Sequence, residues 1–272
     1  MHKLDGIIKF IKSKVDLQDN STAIILGNDF SGFLEKLDYK QEIPFSLIPN
    51  LKALGKDKEK NKFVFGKINS NPLVVIQGRL HYSYGYEPND IANLIFILKS
   101  LGCSRLILTA SVGSINAKIR VGDIVTAVDH INLTGRNPLQ KNDYLKFGHT
   151  FVDMLSPYDE HMMHSLSITA KKEMNLKIKS GVLVEFPGPS SETYSEALMA
   201  SKLGADFVGF NVCSEVIACR YCTLPTILYG IVTNFGASLT ANNVSHDDIV
   251  FNRKVSNTYY LDLLYRFVSN LT

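Results

Sequence analysis

Apolar residues recur along this chain at two different spacings. Near the start, Leu4, Ile7, Ile8, Ile11 and Val15 fall at helical intervals and predict an amphipathic helix. Thr22–Leu26 is an apolar run of strand length, closed by the turn-rich Gly27-Asn-Asp-Phe-Ser-Gly32 that leads into a short helix. Lys62–Ile68 and Leu73–Gln77 read as neighbouring strands across an Asn-Ser-Asn-Pro turn. Asp90 is placed to cap a helix whose apolar face is Ile91, Leu94, Ile95, Leu98 and Leu101, with Gly102 just past its end. Strands are expected over Arg105–Thr109 and Asp123–Asp129, with Thr109–Ser114 as a small-residue loop between them. Residues 130–150 are polar and irregular, a length at which loops in compact domains are usually functional. A helix over Asp159–Met174, a strand over Gly181–Phe186, a turn at Pro187–Ser190 and a helix ending at Gly204 follow. Strands at Asp206–Phe210 and Thr226–Thr233 flank a helix over Glu215–Cys222, and Ser245-His-Asp-Asp248 has the form of a capping box opening a long last helix.

Strand and helix alternate from end to end without a linker or repeat. The fold class is therefore α/β, a single domain over residues 1–272 with a mixed central β-sheet flanked by helices on both faces. In such folds ligands gather beyond the carboxyl ends of strands. That directs attention to the loops after Leu26, Gln77, Thr109, Phe186, Phe210 and Thr233.

Composition narrows the function. The chain has 272 residues, 45% of them hydrophobic, enough to bury a sizeable core. A net charge of +3 spread along the chain does not make the basic stripe of a nucleic-acid binder, although it suits a small anion. The lysines from Lys52 to Lys62 alternate with Asp57 and Glu59 and read as a solvated loop. There is no apolar run of about 18 residues to span a membrane. The first residues lack a secretory pattern. The four cysteines have no disulfide-framework spacing, which fits a reducing cytoplasm. Cys219-Arg-Tyr-Cys222 lacks the second pair a zinc site needs, and His161 and His164 lack a third ligand, so no metal is expected.

Arg79 and His81 lie two apart after a strand and can face one anion, the first with a forked donor and the second with a ring N–H. On residue chemistry alone, Arg79 could equally pair with a surface carboxylate and His81 be a plain loop residue. Glu192 could serve a helix dipole, Asn234 a strand end, His246 an exposed first turn and Phe210 the core.

The set Gln77-Gly-Arg-Leu-His81, Val121-Gly-Asp-Ile124, Asp129-His-Ile-Asn-Leu133, Asn137-Pro138, Gly188-Pro-Ser190 with Glu192-Thr193, Leu203-Gly-Ala-Asp206 and Thr233-Asn234 resembles the trimeric purine nucleoside phosphorylases. Order and spacing match over about residues 20–270. The resemblance implies the nucleoside phosphorylase fold and reversible phosphorolysis of inosine- or guanosine-like nucleosides to free base and (deoxy)ribose 1-phosphate. It implies no cofactor, with inorganic phosphate as co-substrate. Arg79, His81, Asn28, Ser111 and Asn211 would then hold phosphate. Ala110 would line the sugar, Phe210 stack beneath sugar and base, Glu192 and Asn234 grip and polarise the purine, and His246 orient the ribose. Catalytic roles fall to His81, Glu192, Asn234 and His246. Phe151 resembles an aromatic that enters a neighbouring subunit's site, which implies a homotrimer.

The sequence departs from that pattern around phosphate. Gly27-Asn28-Asp29 replaces a Gly-Ser-Gly turn, Phe210-Asn211-Val212 replaces Met-Ser-Thr, Ser83 and Tyr84 stand for Tyr and Glu, and Ser191 stands for a base-packing aromatic. Asn28 and Asn211 can still donate hydrogen bonds. A catalytically weakened nucleoside-binding protein, or a phosphorylase shifted to methylthioadenosine or methylthioinosine, are the alternatives these changes allow.

Overall fold

The computed structural model describes residues 2–55, 58–140, 151–239 and 246–271. Nine strands lie among the described residues: β1 Ser21–Leu26, β2 Tyr39–Pro44, β3 Lys62–Ile68, β4 Asn71–Gln77, β5 Cys103–Ser114, β6 Ile124–Asn132, β7 Lys179–Glu185, β8 Phe207–Gly209 and β9 Thr226–Phe235. The helices are α1 His2–Lys12, α2 Pro88–Ser100, α3 Glu160–Met174, α4 Tyr194–Lys202, α5 Val212–Tyr221 and α6 His246–Ser269. The sheet runs β2-β3-β4-β1-β5-β8-β7-β6-β9, and β9 pairs back onto β5. Five strands therefore close into a ring, from which β1, β4, β3 and β2 extend as an open wing.

Helices cover both sides of the sheet, and strand periodicity shows why. In β1 every residue is buried, and successive side chains point to opposite faces. Ala23 and Ile25 join a core built with Ile7 and Ile11 of α1, Leu94 and Leu98 of α2, and Val216 of α5. Ile24 and Leu26 join the other, with Leu166 of α3 and Leu263, Leu264 and Phe267 of α6. A strand buried on both faces reads as a continuous apolar run, which Thr22–Leu26 is.

Several boundaries differ from the sequence reading. Glu87, not Asp90, caps α2; Asp90 sits one turn in and completes a reciprocal capping box. Thr109–Ser114 is no loop: β5 runs on to Ser114 and pairs with β9 from Leu106 to Ser114. Its small residues mark close packing of strands. A Cβ on Gly113 would lie 2.9 Å from Asn234 Nδ2, and one on Gly230 2.8 Å from Val125 Cγ2. Helix α5 starts at Val212, not Glu215, and α4 stops at Lys202. Strand β2 was not foreseen. The four cysteines are buried and unpaired, so Cys219 and Cys222 are packing residues. His161 and His164 are exposed, and no group of three metal-ligating side chains occurs among the described residues.

One glycine positions the site. Gly78 follows β4 with φ +88°, and a Cβ there would fall 1.9 Å from the buried Asn61 Oδ1. Left-handed backbone adds about 1–2 kcal/mol for any other residue. Gly78→Ala is therefore expected to lower Tm by roughly 5 °C in a thermal melt followed by circular dichroism. An unchanged Tm would show that the Gly78 turn relaxes freely.

Candidate active site

The carboxyl ends of β1, β4, β5 and β9 lie together because these strands run parallel, β4 beside β1, β1 beside β5 and β5 beside β9. From the Gly78 turn, Arg79 points inward. Its Nε donates to Glu215 Oε1 at 2.9 Å, an Nη2 hydrogen bond reaches Glu215 Oε2, and Nη1 donates to the Thr109 carbonyl at 3.0 Å. The two side chains are 10% and 2% exposed, so the partner of Arg79 is a buried carboxylate and not a surface one. Burial alone would lower the Arg79 pKa; Glu215 and, more weakly, Glu185 outweigh it, and the guanidinium stays charged. Both Glu215 oxygens accept from it, the bidentate geometry of an ionised carboxylate. Thr109 links the neighbouring loops: its hydroxyl donates to the Ile25 carbonyl at 2.9 Å and accepts from the Gly27 amide at 3.2 Å.

His81 follows on the same loop. Its Nδ1 lies 3.1 Å from the Ser83 amide and 2.7 Å from the Ser83 hydroxyl. The amide can only donate, so Nδ1 is an acceptor and the neutral ring carries its proton on Nε2. Burial, helped by Arg79, pushes the His81 pKa down to about 4. The ring is thus an uncharged Nε2–H donor at physiological pH. Asn211, fully buried with φ +68°, clasps this loop: Nδ2 donates to the Leu80 carbonyl and Oδ1 accepts from the Tyr82 amide at 3.4 Å. Tyr82 is fixed in turn by a short hydrogen bond to Ser214 and by Arg136, whose guanidinium lies 4.7 Å from the ring centroid.

A second group of polar side chains gathers farther along β5. Asn234 lies over Gly113, with Nδ2 donating to the Phe235 carbonyl at 3.1 Å and Oδ1 accepting from Thr233 Oγ1 at 3.0 Å. Glu192 Oε1 accepts from the Ala237 amide at 3.4 Å, in the turn that follows β9. Phe210 packs beside His81, with ring centroids 6.0 Å apart, and its ring edge lies next to Gly188. Thr109, at the Arg79 end, and Gly113, at the Asn234 end, are four residues apart on β5, a separation of roughly 13 Å. Ala110 and the half-buried Ser111 lie on the strand between.

Of the residues singled out in the sequence, Arg79, His81, Asn211, Ala110, Ser111, Phe210, Glu192 and Asn234 thus fall on the C-terminal halves of β5 and β9 or in or against the loops that follow β4 and β9. Phe151 does not: it is 92% exposed and reaches none of them. The side chains of Asn28, Asp29 and His246 lie outside those described, as does the whole of residues 141–150. Two residues at this site were missed. Glu215 was read only as a helix start, and Glu185, at the end of β7, not at all. Each is a lone acid in an otherwise apolar segment, a pattern that signals a paired or functional buried charge.

The phosphorylase superfamily profile matches residues 22–269. Purine nucleoside phosphorylase of Rattus norvegicus is 33% identical over 217 residues, 78% of this chain and 75% of that protein. The chain belongs to the purine nucleoside phosphorylase family. Within the family, purine nucleoside phosphorylase 1 of Geobacillus stearothermophilus is 27% identical over 268 residues, 98% of this chain and 97% of the relative. The fold is shared with isoform 2 of the Schistosoma mansoni purine nucleoside phosphorylase, whose crystal structure holds cytosine and ribose-1-phosphate. The TM-score is 0.93, the identity 25%, and the match covers 100% of this chain and 97% of the other. The family's single α/β domain and mixed sheet are those described above.

Proposed function

We propose that this protein cleaves purine nucleosides by phosphorolysis, with a preference for 6-oxopurines such as inosine and guanosine. The observation that carries the reading is the alignment of two polar groups along β5: a guanidinium and a neutral imidazole at one end, a carboxamide and a carboxylate at the other. Phosphate sits against the remaining Arg79 N–H groups and His81 Nε2–H. A phosphate oxygen bonds to C1′ of the ribose as the C1′–N9 bond breaks, through an oxocarbenium-like state. The electron pair leaves with the purine. Asn234 Nδ2 meets the negative charge arriving at N7 or the 6-oxo group, and Glu192 accepts from a ring N–H. The proton that hydrogen phosphate gives up on forming its ester passes through solvent to the purine anion, leaving free base and ribose 1-phosphate. His246 orients the sugar and Asn28 supplements the phosphate donors, as the family resemblance implies. Asn211 acts chiefly by holding the Arg79–His81 loop, since its carboxamide is taken up by the Leu80 and Tyr82 backbone.

The native assembly is read as a homotrimer in which the exposed Phe151 covers a neighbouring subunit's site. The setting is read as the cytoplasm, in purine salvage, consistent with four unpaired buried cysteines. No helix among the described residues is long and apolar enough to cross a membrane.

A second reading rests on the Arg79–Glu215 pair. Because Glu215 already neutralises Arg79, phosphate affinity is weakened, and in the limit the protein binds nucleosides without turning them over. Incubating inosine with and without phosphate separates these. Hypoxanthine formed only with phosphate is the expected result. Hypoxanthine in both conditions would mean hydrolysis, and tight inosine binding without product would mean a binding protein.

A further inference from the structure

Glu185 has no part in the reaction as set out above, yet it is fully buried beside the site. It ends β7, pairing with Gly209 of β8, and reaches across to the first turn of α5. There its Oε2 accepts the Cys213 amide at 2.7 Å, and the Asn211 amide also faces the carboxylate. Among the described residues its Oε1 is buried with no hydrogen-bond partner, and the Cys213 thiol is the side chain that approaches the carboxylate. A buried carboxylate with one naked oxygen is poorly solvated, and that favours its neutral form. The groups that face it are Arg79 and Tyr82 from the loop after β4, Tyr158 from the segment before α3, and Cys213 from α5. Burial pushes Glu185 up to about 7, while the Cys213 amide and Arg79 restrain it. Tyr82 is pushed up to about 12 by burial, and Tyr158 and Cys213 also lie well above their ordinary values, so all three stay protonated near neutrality.

The charge count around Arg79 gives this carboxyl its consequence. One guanidinium faces two buried acids; burial raises Glu215 as well, but the charge of Arg79 and its two hydrogen bonds oppose that, so Glu215 is the acid held ionised. With Glu185 ionised, the cluster is net negative before any anion arrives. With Glu185 neutral, the cluster is balanced, and phosphate meets only donors: the remaining Arg79 N–H groups and His81 Nε2–H.

We propose that Glu185 takes up one proton when phosphate binds at Arg79 and His81, so that this carboxyl sets the affinity of the site for its anionic co-substrate. The inference rests on the phosphate reading given above. Glu185 does not touch the reacting atoms; it acts through charge, as a tuning residue.

Sulfate is the suitable probe because, unlike phosphate, it keeps one charge state across neutral pH. Titration calorimetry of the full-length protein with sulfate is expected to show Kd rising roughly tenfold between about pH 6 and pH 8, as the competent, protonated fraction falls. His81, at about 4, stays neutral through that window and adds no slope. Glu185→Gln should bind sulfate with little pH dependence, and the phosphate KM of this variant should fall relative to wild type at the alkaline end. Repeating the wild-type titration in two buffers of different ionisation enthalpy should reveal nearly one proton taken up per sulfate at the alkaline end, a readout that stands even if the variant does not fold. Sulfate binding without proton uptake, or an equal slope in Glu185→Gln, would overturn the role of Glu185 and leave the phosphate site intact. Binding of neither sulfate nor phosphate at any pH would overturn both.

Discussion

Replacing Glu215 by alanine is expected to destabilise the protein by about 3–5 kcal/mol, because it leaves the largely buried Arg79 guanidinium without its carboxylate. At 10% exposure most of the guanidinium is out of solvent, and only the edge that would meet phosphate stays accessible. For a chain of this size the loss corresponds to a Tm lower by roughly 10 °C. An exposed pair provides the contrast: Lys52, 56% exposed, bonds to Asp90 at 2.9 Å, and Lys52→Ala should change stability by less than about 1 kcal/mol. The double variant Arg79→Met with Glu215→Leu removes both charges together. It should recover most of the lost Tm, since an apolar pair of similar volume often serves a core as well as an ion pair does, while phosphorolysis disappears. Recovery of activity along with stability would show that Arg79 is structural and that phosphate sits elsewhere. Equal melting of wild type and Glu215→Ala would refute the buried pair itself.

The second large effect is expected at the other end of β5. Asn234→Ala should reduce kcat/KM for inosine by about 10²–10³, the equivalent of roughly 2.7–4 kcal/mol of lost stabilisation of a developing anion. The phosphate KM should hold, because among the described residues the Asn234 side chain bonds to Thr233 and Phe235 and not to the Arg79 loop. Asn234→Asp should shift preference toward 6-amino purines, whose exocyclic group donates where the 6-oxo group accepts. Steady-state kinetics with inosine, guanosine and adenosine check both. An Asn234→Ala enzyme with unaltered kcat/KM would place the base away from this carboxamide.

How far the sequence revealed this depended on whether each segment's environment left a mark on residue type. β1, β4 and β9 are buried on both sides and were legible as apolar runs. β2 was not, because it stands at the edge of the described sheet beside β3, with Lys40 and Glu42 in solvent. Edge strands carry such charges to discourage pairing with other chains, and the charges erase the strand signal. The second half of β5 was mistaken for a loop because Ala110, Ser111 and Gly113 are small for packing reasons that appear only when β9 and Asn234 are beside them. Arg79, His81, Glu192 and Asn234 stood out as candidates by their place near strand ends and by family resemblance. The partner of Arg79 did not, since it lies 136 residues away along the chain. Both Glu215 and Glu185 did leave a usable trace, a single acid in Val-Cys-Ser-Glu-Val-Ile and in Val-Leu-Val-Glu-Phe.

The return of β9 onto β5 also governs how the chain must be made. Leu106 pairs with Thr226, so the ring stays open until synthesis has passed Thr226, 120 residues after its partner. Until then β5 presents a long, apolar, unpaired edge, a ready template for another nascent copy. Contacts this distant in sequence form slowly. Products of premature termination before Thr226 should therefore accumulate as insoluble material, and synthesis of the intact protein should gain from slower translation or lower temperature.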